Sequence, residues 1–248
     1  MSGEVIQTAA FTWRSGSVTS QGNVRTHNED AVLDLPAAGL WVVADGMGGH
    51  NAGDVASRMI IEALCGVARR ERPSELLDDV EDRLQAVNER LYRASLEGES
   101  GMSGSTVAVL LACGGYCLAV WAGDSRAYRL RDGVLQCITR DHSEVQALVD
   151  EGVLDPLAAG RHGAQNVITR AVGGTDILYL DLELRALRDG DRYLLCSDGL
   201  YKELADEQLA RHLGANDPEG AARALIKQAL GGTCSDNVSA VVIQFSQT

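Results

Sequence analysis

The sequence predicts an α+β fold in which antiparallel sheets pack face to face and helices cover them outside. Three observations carry this expectation. Apolar strand pairs are joined by the two-residue turn signals Gly114-Gly115 and Asp132-Gly133. Two amphipathic helical stretches follow one another early in the chain instead of alternating with strands, which argues against a doubly wound parallel sheet. The length, 248 residues, is enough to bury a substantial core in one large domain or two small ones.

The first apolar run, Leu40-Trp41-Val42-Val43-Ala44, ends in Asp45-Gly46. A helix is expected from about 51 to 70, with Val55, Met59, Ala63 and Val67 on one face and Ile60 and Leu64 beside it. A second is expected from about 74 to 96, where Leu76, Val80, Leu84, Val87 and Leu91 recur at 3–4 spacing behind the start signal Pro73-Ser74. Strands follow at 106–113, 116–122, 127–131 and 134–138. The segment 141–165 then mixes short helical pieces with Gly and Pro. Strands resume at 177–184 and 192–197. A last helix spans 218–230, with Asp217 as N-cap, Pro218 at its first position and Gly231-Gly232 beyond its end. A closing strand, 238–245, is expected to return to the sheet begun near the N-terminus, which would make the chain one domain.

Composition narrows the function. Lys plus Arg is 22 against 35 Asp plus Glu, a net charge of −13. That balance disfavours nucleic acid or an anionic membrane as partner and is compatible with cation binding, although a solvated acidic surface has the same signature. No apolar run approaches a membrane span, and Met1 to Ala10 lacks the basic-then-apolar pattern of a secretory signal. The six cysteines form no CxxC pair, and most sit in apolar runs such as Leu194-Leu195-Cys196. They read as small buried hydrophobes in a reducing compartment, so a cytoplasmic protein is expected.

Chemistry is carried by aspartates at strand ends. Leu40–Ala44 delivers Asp45, Leu118–Ala122 delivers Gly123-Asp124, and Tyr193–Cys196 delivers Ser197-Asp198-Gly199. Asp236 precedes the closing strand, and Glu29-Asp30 follow Asn28 at the start of another. One such Asp is ordinarily a turn former. Three at matched strand ends would converge on one edge, where carboxylates repel unless cations or protons neutralise them. No His or Cys accompanies them at ligand spacing, and oxygen-only ligation selects Mg²⁺ or Mn²⁺ over zinc.

These residues resemble the signature of the bacterial type 2C (PPM) protein phosphatases. The matching stretches are Arg25-Thr26-His27-Asn28-Glu29-Asp30, Asp45-Gly46-Met47-Gly48-Gly49-His50, Gly123-Asp124-Ser125-Arg126, Asp141-His142-Ser143, Asn166–Ala171, Ser197-Asp198-Gly199-Leu200 and Ser235-Asp236-Asn237. They run in family order from about residue 14 to 245. The resemblance implies a four-layer αββα sandwich with a flap at 141–165, and a metal-dependent serine/threonine phosphatase using two tightly held Mn²⁺ or Mg²⁺ ions and a weaker third. It implies metal ligands at Asp45, the Gly46 carbonyl, Asp198 and Asp236. Glu29 and Asp30 would hold metal-bound waters or a metal directly, and Asp124 would share the weak site with Asp198. Arg25 would grip the substrate phosphate with its planar fork, while hydroxide generated between the metals attacks phosphorus. Many eukaryotic members carry His where this chain has Met47; His50, three residues on, reads as a loop or helix-cap residue until geometry gives it an acid role.

Asn28 and Ser197 read as orienting residues, Cys196 as buried and inert, and Asp141-His142 as a turn. Arg126 could pair with Asp124. The partners implied are phosphorylated proteins, targets of a Ser/Thr kinase and conceivably part of secretion-system regulation, met by a monomer. Two other classes fit the sequence less well. A catalytically dead phosphoprotein binder would have lost its metal acids, yet Asp45, Asp198 and Asp236 all remain. A calcium-binding structural protein would gather its ligands in one short loop, and here they are spread along the chain.

Overall fold

The computed structural model describes residues 11–48, 52–98, 103–159 and 162–248. In chain order the elements are β1 (Phe11–Ser20), β2 (Asp30–Leu35), β3 (Leu40–Gly48), α1 (Ala52–Leu64), α2 (Pro73–Glu97), β4 (Ser103–Ser105), β5 (Val107–Cys113), β6 (Tyr116–Ala122), β7 (Arg126–Arg131), β8 (Val134–Cys137), α3 (Glu144–Asp150), α4 (Pro156–Ala159), β9 (Asp181–Ala186), β10 (Arg192–Cys196), α5 (Asp198–Tyr201), α6 (Asp206–Ala215), α7 (Pro218–Leu230) and β11 (Val238–Gln247). Among the described residues the strands form two sheets, one ordered β1-β11-β10-β7-β8 and the other β2-β3-β5-β6-β9, with β4 paired to β3. The strand pairings are antiparallel throughout. Both expected turns adopt the positive φ at two successive residues that a tight hairpin requires, Gly114-Gly115 and Asp132-Gly133.

Period-two alternation explains the layers. Along β3, Trp41 and Val43 face the other sheet, while Leu40, Val42 and Ala44 face helices α1 and α2. Along β11, Val241, Ile243 and Phe245 face the first sheet's partner, while Val238, Ala240 and Val242 face α6 and α7. Strands buried on both faces read as unbroken apolar runs, which is what the sequence shows. At the centre of the inter-sheet layer, Trp13, Trp41 and Phe245 meet edge to face with ring centroids 6.0 Å apart. This is the expected four-layer arrangement.

Several element expectations are corrected. The first helix ends at Leu64, and its buried face is Gly53, Ala56, Ser57, Ile60 and Leu64, with Val55 exposed. Small residues let its first turn lie directly against β3, so the helix is rotated from the face chosen by apolar bulk alone. The strand expected at 177–184 begins at Asp181, leaving Ile177 and Tyr179 exposed before it. Strand β1 was not anticipated, nor was α6. Four cysteines are buried as expected, but Cys65 and Cys137 are exposed. On α7, Asp217 accepts from the Gly220 N–H as the foreseen cap.

The segment 141–165, expected as a flap, lies between β8 and β9 and is closed at its root. Glu144 N–H donates to the Val167 carbonyl and Thr169 N–H to the His142 carbonyl, and Ser143 bridges Ile168. The loop therefore closes at 167–169, just past the end of the segment that the resemblance marks. Among the described residues no helix is long and apolar enough to cross a membrane.

Candidate active site

Strand register brings the acids together. Asp30 opens β2 directly opposite Asp45 on β3. Val107 of β5 pairs with Ala122, so Asp124, two residues on, leaves the same sheet at the same end. In the other sheet Cys196 pairs with Ala240, so Asp198, just beyond β10, lies beside Asp236, just before β11. Both sheets thus deliver carboxylates to one edge of the sandwich. Mutual repulsion records the convergence. Asp45 is held well above the ordinary aspartate range by burial first, then by Asp30, Asp198, Asp124 and Asp236. Burial, offset in part by two serine hydroxyls, raises Asp30 to about 7. Burial and then the nearby Asp198 charge raise Asp124 to about 7.

Backbone contacts too close for a side chain fix this geometry. A Cβ on Gly46 would lie 2.0 Å from the Gly53 carbonyl oxygen, and one on Gly199 would lie 2.0 Å from that of Asn237. Glycine at both places lets α1 close over β3 and α5 over the start of β11. A Cβ on Gly53 would meet the Glu29 carboxylate at 2.9 Å, so Glu29 lies against the first turn of α1, where helix N–H groups favour negative charge. The Glu29 backbone is clamped on both sides. Its carbonyl accepts from Gly46 N–H and Ser57 Oγ, and its N–H donates to Asn237 Oδ1.

Asp30 is oriented by Ser197 Oγ and Ser239 Oγ, which donate to Oδ2 at 2.7 and 2.6 Å. Ser197 is therefore an orienting residue, as expected, and Asn28 supports the same network through Thr19. Thr106 exchanges hydrogen bonds with the Asp45 backbone and meets Ser125 at 2.7 Å. Arg25 reaches Asp236, with Nη2 to Oδ2 at 2.9 Å and about half of each side chain in solvent. Asp198 takes Lys202 Nζ at 2.5 Å, and the same amine donates to Asn166 Oδ1 at the end of the flap.

The suggested Arg126–Asp124 pair does not form. Arg126 instead makes a two-pronged bond to Asp141, at 2.9 and 2.7 Å, and lies 3.7 Å from the Tyr201 ring centroid. Asp124 is held by its backbone, whose carbonyl accepts from Tyr201 Oη. Cys196 is buried, with its thiol pushed up by desolvation, consistent with an inert side chain. His50 lies outside the described residues. Lys202 and Asn166 had no role in the sequence reading. The i, i+4 spacing of Asp198 and Lys202 was legible; the contact with Asn166 depends on how the flap folds back.

Among the described residues, no group of three His, Cys, Asp or Glu side chains is already gathered to hold an ion. The partners explain this, since Asp236 leans on Arg25, Asp198 on Lys202, and Asp30 on two serines. The site nevertheless fits hard cations. Asp30 Oδ1 and Asp124 Oδ1 are buried without a hydrogen-bond partner, a costly arrangement for a carboxylate. The available donors are all oxygens, the chemistry that Mn²⁺ and Mg²⁺ select.

An αββα sandwich with aspartates from both sheets at one edge defines the class, and the protein phosphatase 2C family model matches residues 19–228. The chain belongs to that family. It is 40% identical over 230 residues to the serine/threonine protein phosphatase PstP of Mycobacterium tuberculosis, an alignment covering 92% of this chain and 44% of that protein. The chain thus spans less than half the length of that curated relative. Among solved structures it resembles PppA, described as a key regulatory component of T6SS in Pseudomonas aeruginosa, with a TM-score of 0.88 and 40% identity over 96% of this chain and 99% of that one. It also resembles the PstP catalytic domain in complex with two manganese ions, with a TM-score of 0.86 and 37% identity over 96% of this chain and all of that one.

Proposed function

We propose that this chain is a catalytic domain, with a flap at 141–165, that hydrolyses phosphoserine and phosphothreonine in proteins and opposes a Ser/Thr kinase. The carrying observation is the convergence of Asp30, Asp45, Asp124, Asp198 and Asp236 on one sandwich edge, with the exposed guanidinium of Arg25 beside them. Asp45, the Gly46 carbonyl, Asp198 and Asp236 would hold two Mn²⁺ or Mg²⁺ ions, with Glu29 and Asp30 supporting them and Asp124 and Asp198 sharing a weaker third. When bound, such ions offset the carboxylate repulsion and make a nucleophilic water available at neutral pH. Arg25 offers its planar fork to the phosphoryl oxygens. Ser197 and Ser239 hold Asp30 in one orientation, and Asn237 ties the Arg25 loop to the Asp236 loop by donating to the Gln21 and His27 carbonyls.

The six free cysteines suit a reducing compartment, and we place the activity in the cytoplasm. The likeness to PppA makes secretion-system regulation the first setting in which to look for substrates.

Turnover of p-nitrophenyl phosphate and of a phosphothreonine peptide, with Mn²⁺ and after EDTA, tests the reading, together with calorimetric Mn²⁺ titration of wild type and Asp198→Ala. The variant is expected to stay folded, lose Mn²⁺ binding, and drop in kcat by about 100-fold or more. Near-normal turnover by EDTA-treated enzyme or by folded Asp198→Ala would refute it.

A further inference from the structure

We infer that the apolar hollow beside Met47 is a docking subsite for an apolar side chain of the substrate polypeptide, close to the phosphorylated residue. The inference rests on the phosphatase reading and adds a sequence preference to it.

The hollow has a volume of about 600 Å³ and is walled by Met47, Gly104, Ile168, Ala171, Ile177 and Tyr179 among others. That is the size range of pockets that accept compact ligands, about 300–1,000 Å³. Its floor continues the strand that carries the acids. Met47 follows Asp45-Gly46 on β3 and pairs with Gly104 on β4, and two residues of strand advance about 7 Å. Gly104 keeps the floor low: a Cβ there would stand 3.0 Å from the Val172 carbonyl oxygen and 3.5 Å from Met47 Cε. On the far wall, Ile177 is 51% exposed and Tyr179 is 64% exposed. Two large apolar side chains in water at the mouth of one hollow form a patch, unlike the scattered apolar residues of an ordinary surface.

Charge decides the occupant. The charged side chains lining the hollow are Arg170 and Asp176. Arg170 is engaged by Asp181 at 2.6 Å, and Asp176 accepts from the Ile177 N–H. Among the described residues the walls therefore offer apolar contact and no unpaired cation, which fits an aliphatic or aromatic side chain and not a second phosphate. The phosphoryl group belongs at the acid edge, and residues one or two places along an extended chain lie roughly 3–7 Å away. The substrate's own backbone would carry its neighbouring side chain into the hollow. The unbranched thioether of Met47 can adapt to side chains of different shape.

The test uses phosphothreonine peptides in which the two positions on each side of the phosphorylated residue are Ser, and a set in which Leu replaces each in turn. These are assayed with Mn²⁺ on wild type, on Ile177→Ser/Tyr179→Ser, and on the conservative Ile177→Val/Tyr179→Phe, beside p-nitrophenyl phosphate. Wild type is expected to favour Leu at one position by about tenfold in kcat/KM, mostly through KM, as partial burial of a leucine allows. The serine double variant should lose most of that preference and the conservative one keep it, with p-nitrophenyl phosphate turnover unchanged in both. Equal kcat/KM for Leu and Ser peptides in wild type that turns over p-nitrophenyl phosphate would overturn the subsite alone. Wild type inert toward p-nitrophenyl phosphate with Mn²⁺ would overturn the phosphatase reading and the subsite with it.

Discussion

Arg25 stands half in solvent with one guanidinium nitrogen on Asp236, and the pair raises the already high Arg25 pKa through that hydrogen bond and charge. Exposed pairs contribute little to stability, so Arg25→Ala should leave the thermal midpoint nearly unchanged. It should raise KM for phosphopeptides by about tenfold or more, because a charge-assisted fork to phosphate is lost. Arg25→Lys should recover only part of that, since an ammonium cannot reproduce the planar fork. Steady-state kinetics on the three proteins, with inorganic phosphate as inhibitor, measures this; unchanged KM and phosphate inhibition in Arg25→Ala would remove the assignment. At this scale the sequence was informative where chemistry and strand ends coincide. Asp45, Asp124 and Asp198 each close an apolar run, so their meeting could be anticipated. The partners of those acids were less legible. Ser239 in β11 and Thr106 between β4 and β5 are ordinary in sequence until the sheet pairing sets them beside Asp30 and Asp45, and Arg126 turned to Asp141 because the chain after β8 brings that carboxylate within reach.

Elements were readable where their periodicity is strong. The buried face of α2 is the one its 3–4 spacing marks, Leu76, Val80, Leu84, Val87 and Leu91. Helix α1 shows the limit: close backbone approach at Gly53 outweighs apolar bulk, so Val55 faces water. Strand β1 reads as polar because it is an edge strand with half-exposed residues, and α6 offers only Leu209 and Leu213 as buried anchors. The flap root supplies a pH prediction. His142 stacks on Trp121, its Nδ1 accepts from the Gly123 N–H at 3.1 Å, and Nε2 meets Asp181 at 3.1 Å. An Nδ1 that accepts must be unprotonated. Burial lowers the His142 pKa despite Asp181. A histidine lowered on folding binds fewer protons folded than unfolded, so its stabilisation is present above the ordinary value of about 6.5 and declines as pH falls below it. Asp30 and Asp124, raised on folding, slope the other way, costing stability as pH rises toward 7. The difference in unfolding free energy from urea titrations of wild type and His142→Ala isolates the histidine. It should be largest near pH 8 and shrink toward pH 5, by about 1 kcal/mol for the loss of one hydrogen bond. A pH-independent difference would show that folding leaves the His142 pKa unshifted.

Across the whole molecule, the inter-sheet layer holds the two acid-bearing sheets in fixed relation. Phe245 touches Trp13, Trp41 and Tyr193 edge to face and is fully buried. Phe245→Ala should cost about 3–5 kcal/mol. Calorimetry should show one transition lowered by roughly 10 °C; two separated transitions would mean that the sheets unfold independently. The layered architecture was legible because strands with two buried faces leave unbroken apolar runs. The strand order was not, since it depends on pairings across most of the chain. The longest of these is β1 with β11, matched from Phe11 opposite Gln247 to Ser20 opposite Val238. A ribosome delivers β1 first and β11 last. While synthesis proceeds, β2, β3, β5 and β6 can close against α1 and α2, but β1 must wait for its partner. Asp198 and Asp236 also emerge late, on either side of α6 and α7. A nascent chain halted before Asp236 therefore lacks both the strand that completes one sheet and one carboxylate of the acidic edge, so premature termination should leave that edge unassembled and not merely incomplete.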